Sequence, residues 1–181
     1  MDALTEIGLG KAVRFVFYGV VGILLHGVVV PQIRVAILRL LGARIGSDTI
    51  IHDITFVNLY HYGFRRLHIG NRCFLGEEVL VDCRGWITLE DDVTLSDRVC
   101  LVSHINVGYK GHPLQAVYPT REDRVIIGSA TYLGTGVIVL PGVTIGARSV
   151  IGAGAVVTQD IPSDRVAVGV PARVIKRIRK I

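Results

Sequence analysis

The sequence predicts an all-β fold, a parallel β-helix built from hexapeptide repeats, with an N-terminal helical arm and a short C-terminal helix. Two observations carry this. Read in steps of six, the chain gives Ile127, Leu133, Val139, Ile145, Ile151 and Val157, an unbroken series of branched aliphatics. Most are followed by Gly, as in Ile127-Gly128, Leu133-Gly134, Ile145-Gly146 and Ile151-Gly152. A helix of 3.6 residues per turn cannot hold a six-residue period on one face, but a strand-and-turn unit that advances one side of a triangular coil per hexapeptide can. The aliphatic then points into the coil, and Gly lets the chain turn at a corner where a Cβ would clash.

Taken in order, the chain begins with a segment outside this period, residues 1–44. Phe15 to Ile33 is a nineteen-residue run without Asp, Glu, Lys or Arg, long enough to span a bilayer. Gly19, Gly22, Gly27 and Pro31 interrupt it, and Lys11 and Arg14 before it balance Arg34, Arg39 and Arg44 after it, so no orientation signal emerges. No small-residue cleavage site follows, which disfavours a signal peptide. Three readings stand: the run packs as a helix on the prism or a partner subunit, associates with the membrane surface through residues 12–41, with Arg34, Arg39 and Arg44 near anionic headgroups, or spans. Pro31 to Leu41 reads as a short amphipathic helix, with Pro in its first turn and Gly42 at its end.

The six-residue step runs through Ile45, Ile51 and Val57, breaks over Asn58 to Arg66, and resumes at Ile69, Leu75 and Val81. A two-residue insertion within Cys83 to Trp86 moves it to Leu89, Leu95 and Leu101, and a long interruption at 103–124 precedes the run from Ile127. Fifteen hexads make five triangular turns over residues 45–162. From 163 to 181 the chain reads as an extended return and a capping helix from Ala172 to Ile181 over an exposed sheet end.

The 181 residues are half hydrophobic and carry a net charge of +5, which suits one domain with an appendage. The excess is concentrated in Arg173, Lys176, Arg177, Arg179 and Lys180, while Glu77, Glu78, Asp82, Glu90, Asp91, Asp92 and Asp97 crowd the middle, which argues for a local anionic partner. No nucleic-acid motif accompanies the charge. Cys73, Cys83 and Cys100 have no CxxC spacing and an odd count, so the sequence points to buried thiols in a reducing cytoplasm.

The run from Ile127 through Leu140-Pro-Gly-Val-Thr-Ile-Gly146, Val150-Ile-Gly-Ala-Gly154, Asp160-Ile-Pro162 and Val168-Gly-Val-Pro-Ala-Arg173 resembles the hexapeptide-repeat acyltransferases, within them the galactoside, maltose and exopolysaccharide O-acetyltransferases. The resemblance covers about residues 45–178. It implies a left-handed β-helix, a homotrimer, acetyl-CoA as donor and active sites between subunits.

Acyl transfer to a hydroxyl needs a base, and His is the side chain suited to it near neutrality. His104, ending the last hexad before the long interruption, is the expected catalytic base, because the family's His lies at this junction after Ser or Thr, as in Ser103-His104. His112, in Gly111-His-Pro113, is the competing candidate and is otherwise placed at the acceptor. The resemblance puts Glu78 where relatives carry an acceptor-binding Asn, with Asp82 beyond it, and the loop 103–124 with Tyr109 over the cleft. His61 and Tyr62 are expected to pack. For the donor it implies Tyr132 and Thr135 along the pantetheine, backbone near Ala153 and Thr158, and Arg173 with Lys176 on the CoA phosphates. Gln159 stands where relatives often have Lys.

These residues point to an acetyl-CoA-dependent O-acetyltransferase acting on a sugar or glycoconjugate hydroxyl in surface-polysaccharide assembly, in the cytoplasm or at the inner face of the cytoplasmic membrane, with no metal required. An N-acetyltransferase acting on an amino sugar is the alternative, because Glu78 departs from Asn. The same fold hosts zinc carbonic anhydrases, yet His52, His61, His68, His104 and His112 show no closely spaced pair. A non-catalytic β-helix subunit is the remaining reading.

Overall fold

The computed structural model describes residues 8–108 and 111–179. Three parallel sheets, continued on one side by an antiparallel strand, wrap into a triangular prism, and the six-residue series forms its interior. On the first face Ile45, Ile69, Leu89, Ile127 and Ile145 stack in register. On the second, Ile51, Leu75, Leu95, Leu133 and Ile151 stack and are continued by Ala167. On the third the stack is Phe56, Val81, Leu101, Val139 and Val157. Five turns result, as the hexads predict. All but Ile45 and Phe56 of these are buried, and hydrophobic transfer from water is what closes the coil.

The third stack corrects one expectation. Phe56, not Val57, pairs with Val81, and Val57 falls opposite Asp82. Only His52 and Asp53 separate the strands Ile50–Ile51 and Ile54–Val57, whereas three residues separate Phe74–Leu75 from Val79–Asp82, so the first turn is one residue ahead. A one-residue slip exchanges inward and outward side chains. Phe56 fills its place edge-on against the buried Phe64, ring centroids 4.9 Å apart.

The corner glycines answer to the next coil. A Cβ on Gly70 would lie 2.5 Å from Asp91 Oδ1 and 2.6 Å from the Glu90 carbonyl carbon. The left-handed backbone falls two residues later and is taken by side-chain-bearing residues, Asp48, Arg72, Asp92 and Arg148 among them, at φ between 53° and 60°. Gly70→Ala should therefore cost about 1–3 kcal/mol in chemical unfolding, since backbone must shift to admit a methyl group. Gly22→Ala, in a helix with open space around it, should be neutral or stabilise by up to about 1 kcal/mol.

Most of the acidic middle of the sequence is structural. Asp91 Oδ1 accepts from the Asn71 backbone N–H (2.8 Å), Asn71 Oδ1 from that of Ser47 (2.9 Å), and Asp97 Oδ1 from that of Glu77 (2.9 Å). Glu90 caps Ser129 in the same way (2.9 Å), and Asp92 holds Arg72 through two contacts of 2.6 and 2.7 Å. Each carboxylate satisfies donors that a corner leaves outside the sheet ladder.

The N-terminal segment forms α1 (Leu9–His26) and, as predicted, α2 (Pro31–Leu40); a short α3 (Leu59–Tyr62) fills the first break in the hexads. Tyr18, Val21 and Leu25 seat one side of α1 on the prism. Arg34, 3% exposed, donates to the carbonyls of Ile51, Leu25 and Val28, binding the end of α1 to the first coil. The packing reading thus holds for one side of α1. The other side, with Val13, Val16, Phe17, Val20 and Leu24, stays exposed, and α1 is long and apolar enough to cross a membrane by length and composition.

The expected C-terminal helix is absent among the described residues. Arg173–Arg177 is a strand, antiparallel to Arg165–Val168, which itself adds to the second face beside Val150–Ile151. Arg165–Val168 has an outer edge of backbone donors and acceptors that a strand can pair and a helix cannot, and β-branched Val174 and Ile175 suit that strand. Cys73, Cys83 and Cys100 are free thiols, the first two buried.

Candidate active site

Asp82 departs from the corner pattern. It ends the strand Val79–Asp82 on the third face, and because Val81 pairs with Leu101, the chain leaving the next coil at Val102-Ser103-His104 passes directly over it. Asp82 is 2% exposed. Its Oδ1 accepts from Asn58 Nδ2 (2.8 Å) and the Arg84 backbone N–H (3.2 Å). Its Oδ2 accepts from the Ser103 backbone N–H (2.9 Å) and lies 2.6 Å from His104 Nδ1. Ser103 Oγ accepts from the Gly85 N–H (2.7 Å) and stands 2.8 Å from both Asp82 O and Oδ2. Burial pushes the Asp82 carboxyl up, but the hydrogen bonds from His104, Asn58 and Ser103 outweigh it and hold the group below its ordinary value.

An ionised carboxylate only accepts, so the imidazole proton sits on Nδ1 and the lone pair on Nε2. The His104 side chain keeps 19% of its surface, enough to present that atom to a substrate. Its backbone is fixed as well: His104–Ile105 pairs with Arg121–Glu122 as the foot of the 103–124 loop. Glu122 ties that foot to the prism through Arg66 (2.6 Å) and Arg84 (3.3 Å). Burial raises the Glu122 carboxyl, and the two guanidiniums bring it below its usual range.

The structure sorts the other expected site residues. Asp82 is placed against His104, and both its oxygens are already occupied in a buried pocket. Glu78 stands at the opposite end of the strand from Asp82, roughly 13 Å along it at 3.3 Å per residue, and pairs with exposed Arg98 (3.2 Å). The chain therefore does not bring Glu78 to the dyad. His112 caps the 3₁₀ turn Pro113–Ala116 in the loop, with Nδ1 accepting from the Leu114 N–H (3.2 Å). Tyr109 lies outside the described residues. As expected, Tyr62 packs, under the Arg66 guanidinium at 3.3 Å from its ring centroid, and His61 stacks on Tyr60 at 4.3 Å between ring centroids. His52 faces Glu77 and His68 packs edge-on to Trp86, each well apart from the dyad in sequence and face.

Most of the donor candidates lie toward another edge. Tyr132, Val150, Val166 and Lys176 form one cross-strand row of the second face. Thr135 and Ala153 stack at the corner leading into the third face, where the Gly154 N–H donates to the Thr135 carbonyl (2.9 Å). Thr158 follows Val156–Val157 and so lies on the His104 corner, two coils on. Arg173 and Lys176 are exposed. Within one chain, His104 and the set Tyr132, Thr135 and Ala153 occupy opposite ends of the third-face strands.

Asn58, Arg84 and Glu122 were not singled out by sequence. Asn58 and Arg84 lie in breaks of the hexads, where no period assigns a direction. Asp82 did carry a signal: it follows Val81 as Val102 follows Leu101, and those two are register partners.

Comparison with known proteins bears on the fold and the family. Residues 124–159 match the family model described as bacterial transferase hexapeptide (six repeats). Galactoside O-acetyltransferase of Escherichia coli (strain K12) is 32% identical over 151 residues, covering 80% of this chain and 68% of the relative. WcaF of the same organism, named by inference as an acetyltransferase of colanic acid biosynthesis, is 32% identical over 150 residues, 81% of this chain and 78% of its own. Among solved structures, a galactoside acetyltransferase in complex with coenzyme A superposes with a TM-score of 0.78 at 25% identity, covering 99% of this chain and 92% of the other. A maltose O-acetyltransferase from Clostridium difficile 630 gives 0.78 at 29% identity, with 96% and 90% covered.

Proposed function

We propose a specific reaction for this chain, which belongs to the hexapeptide-repeat sugar O-acetyltransferase family: transfer of acetyl from acetyl-CoA to a sugar hydroxyl, with His104 as general base, in the assembly of a surface polysaccharide or glycoconjugate. The observation that carries the reading is the Asp82–His104 contact of 2.6 Å at a buried carboxylate. His104 Nε2 takes the proton of the acceptor hydroxyl as its oxygen bonds to the thioester carbonyl carbon. Asp82 stabilises the imidazolium so formed and keeps the ring in one tautomer. When the carbon–sulfur bond breaks, His104 returns the proton to the departing sulfur, and both groups end as they began.

An O-acetyltransferase reading is favoured over transfer to an amine because Glu78, which had suggested an amine, is held by Arg98 away from the dyad. The polysaccharide role is supported by the likeness to WcaF. A trimer is supported by the division of the site: a neighbouring copy can bring its Tyr132, Thr135 and Ala153 edge to this chain's His104. Sedimentation should then give three times 19.7 kDa, and a monomer retaining full activity would contradict the shared site.

Donor binding is tested by titrating CoA into the full chain. Arg173→Glu with Lys176→Glu should weaken binding by at least about tenfold, since charge-assisted contacts to phosphate are replaced by like charge. Wild-type protein that fails to bind CoA would overturn the reading.

A further inference from the structure

The transfer reaction leaves a cleft beside α1 unexplained. It holds about 510 Å3 between α1 and the segments that carry Tyr60, Arg84 and Asn106. Arg84 and Asn106 line it, and they stand two residues beyond Asp82 and His104 respectively. Across from them Lys11, Phe15 and Val16 of α1 and Tyr60 of α3 complete the walls. Cations therefore stand on both walls, Lys11 on the α1 side and Arg84, which also pairs with Glu122, opposite it, while the apolar surface belongs to α1. His61 also lines the cleft, and burial first, then Arg84 and Lys11, lower its pKa against Glu122, which raises it. On the apolar side Phe15 meets Tyr60 edge-on at 5.9 Å, yet Phe15 and Val16 remain 64% and 65% exposed. From there the apolar surface runs without a charged residue along Val13, Phe17, Val20 and Leu24 on a helix about 27 Å long at 1.5 Å per residue.

Cations beside an apolar wall suit a ligand that carries both an anionic group and a hydrocarbon. We propose that the cleft is an acceptor site for an amphiphile, a sugar joined through phosphate to a long hydrocarbon chain. Lys11 and Arg84 hold the phosphate, the sugar reaches His104 past Asn106, and the hydrocarbon passes over Phe15 and Val16 onto the exposed side of α1. This assignment rests on the acetyltransferase reading and names its acceptor class.

The test uses the full-length chain and farnesyl phosphate below its micelle concentration, with farnesol and inorganic phosphate as separate arms and CoA titrated into the same preparation. Farnesyl phosphate should bind at least about tenfold more tightly than either arm, because both walls contribute. Lys11→Gln and Val16→Asp should each weaken it severalfold while the melting temperature and the CoA affinity are unchanged. Farnesyl phosphate binding no better than farnesol would show a merely apolar surface and overturn the proposal, as would indifference to Lys11→Gln. If wild-type protein binds CoA but not farnesyl phosphate, the acceptor assignment falls alone. If it does not bind CoA, the transferase reading falls and the acceptor role with it.

Discussion

His104→Ala should lower kcat for acetyl transfer by about 10²–10⁴-fold, the span that a positioned general base contributes, with CoA affinity and melting temperature close to wild type. The side chain is on the surface side of the dyad, 19% exposed, and its strand pairing with Arg121–Glu122 uses backbone only. Removing the imidazole therefore costs the base and little of the fold. His112→Ala is the control, because that residue shapes the 3₁₀ turn of the loop through the Leu114 N–H and should change kcat by less than about tenfold. Assays of both variants with acetyl-CoA and a panel of sugar acceptors, following CoA release, decide between them; a large loss in His112→Ala alone would move the base into the loop.

Asp82→Asn should lower kcat on a similar scale, about 10²–10⁴-fold, for a different reason. Asp82 Oδ2 faces the Ser103 N–H and His104 Nδ1, and Oδ1 faces Asn58 Nδ2 and the Arg84 N–H. An amide must turn its NH₂ toward one of these donor pairs. If it faces His104, the ring flips to the tautomer whose proton is on Nε2, and the base is lost. If it faces Asn58 and Arg84, two buried donors lose their acceptor. Either way the imidazolium loses its counter-charge. The same substitution has a signature in stability against pH. Because the folded carboxyl is held below its ordinary value of 3.8, its stabilisation is complete above that pH and is lost as pH falls through the lower folded value. The variant should lack this part of the acid-unfolding curve, and a wild-type and variant curve of the same slope below pH 4 would contradict the pairing.

The prism was legible in the chain because each coil repeats one rule, an aliphatic inside every sixth residue, and a violation anywhere would expose a polar stack. Where the corner length changed, the rule misplaced one residue, Val57 for Phe56, since the period carries no count of corner residues. The C-terminal strand was missed because Arg173 to Arg177 reads equally well as a helix, and only the open edge of Arg165–Val168 decides. The site was half legible. His104 is marked by its place at the end of a hexad and by the Ser before it. Asp82 resembles the corner carboxylates Asp91 and Asp97 in sequence, and only the stacking of Val81 under Leu101 separates it from them. Asn58 and Arg84 lie in irregular segments whose direction follows from packing and has no period to announce it.

The central claim is that Asp82 and His104 act as one unit, with Asp82 working only through the imidazole. A double-mutant cycle on kcat tests it most directly. If the account holds, Asp82→Asn combined with His104→Ala is no slower than His104→Ala by more than about twofold, because the carboxylate has nothing left to orient. Two losses that multiply would mean that Asp82 contributes to the reaction independently, and would contradict it.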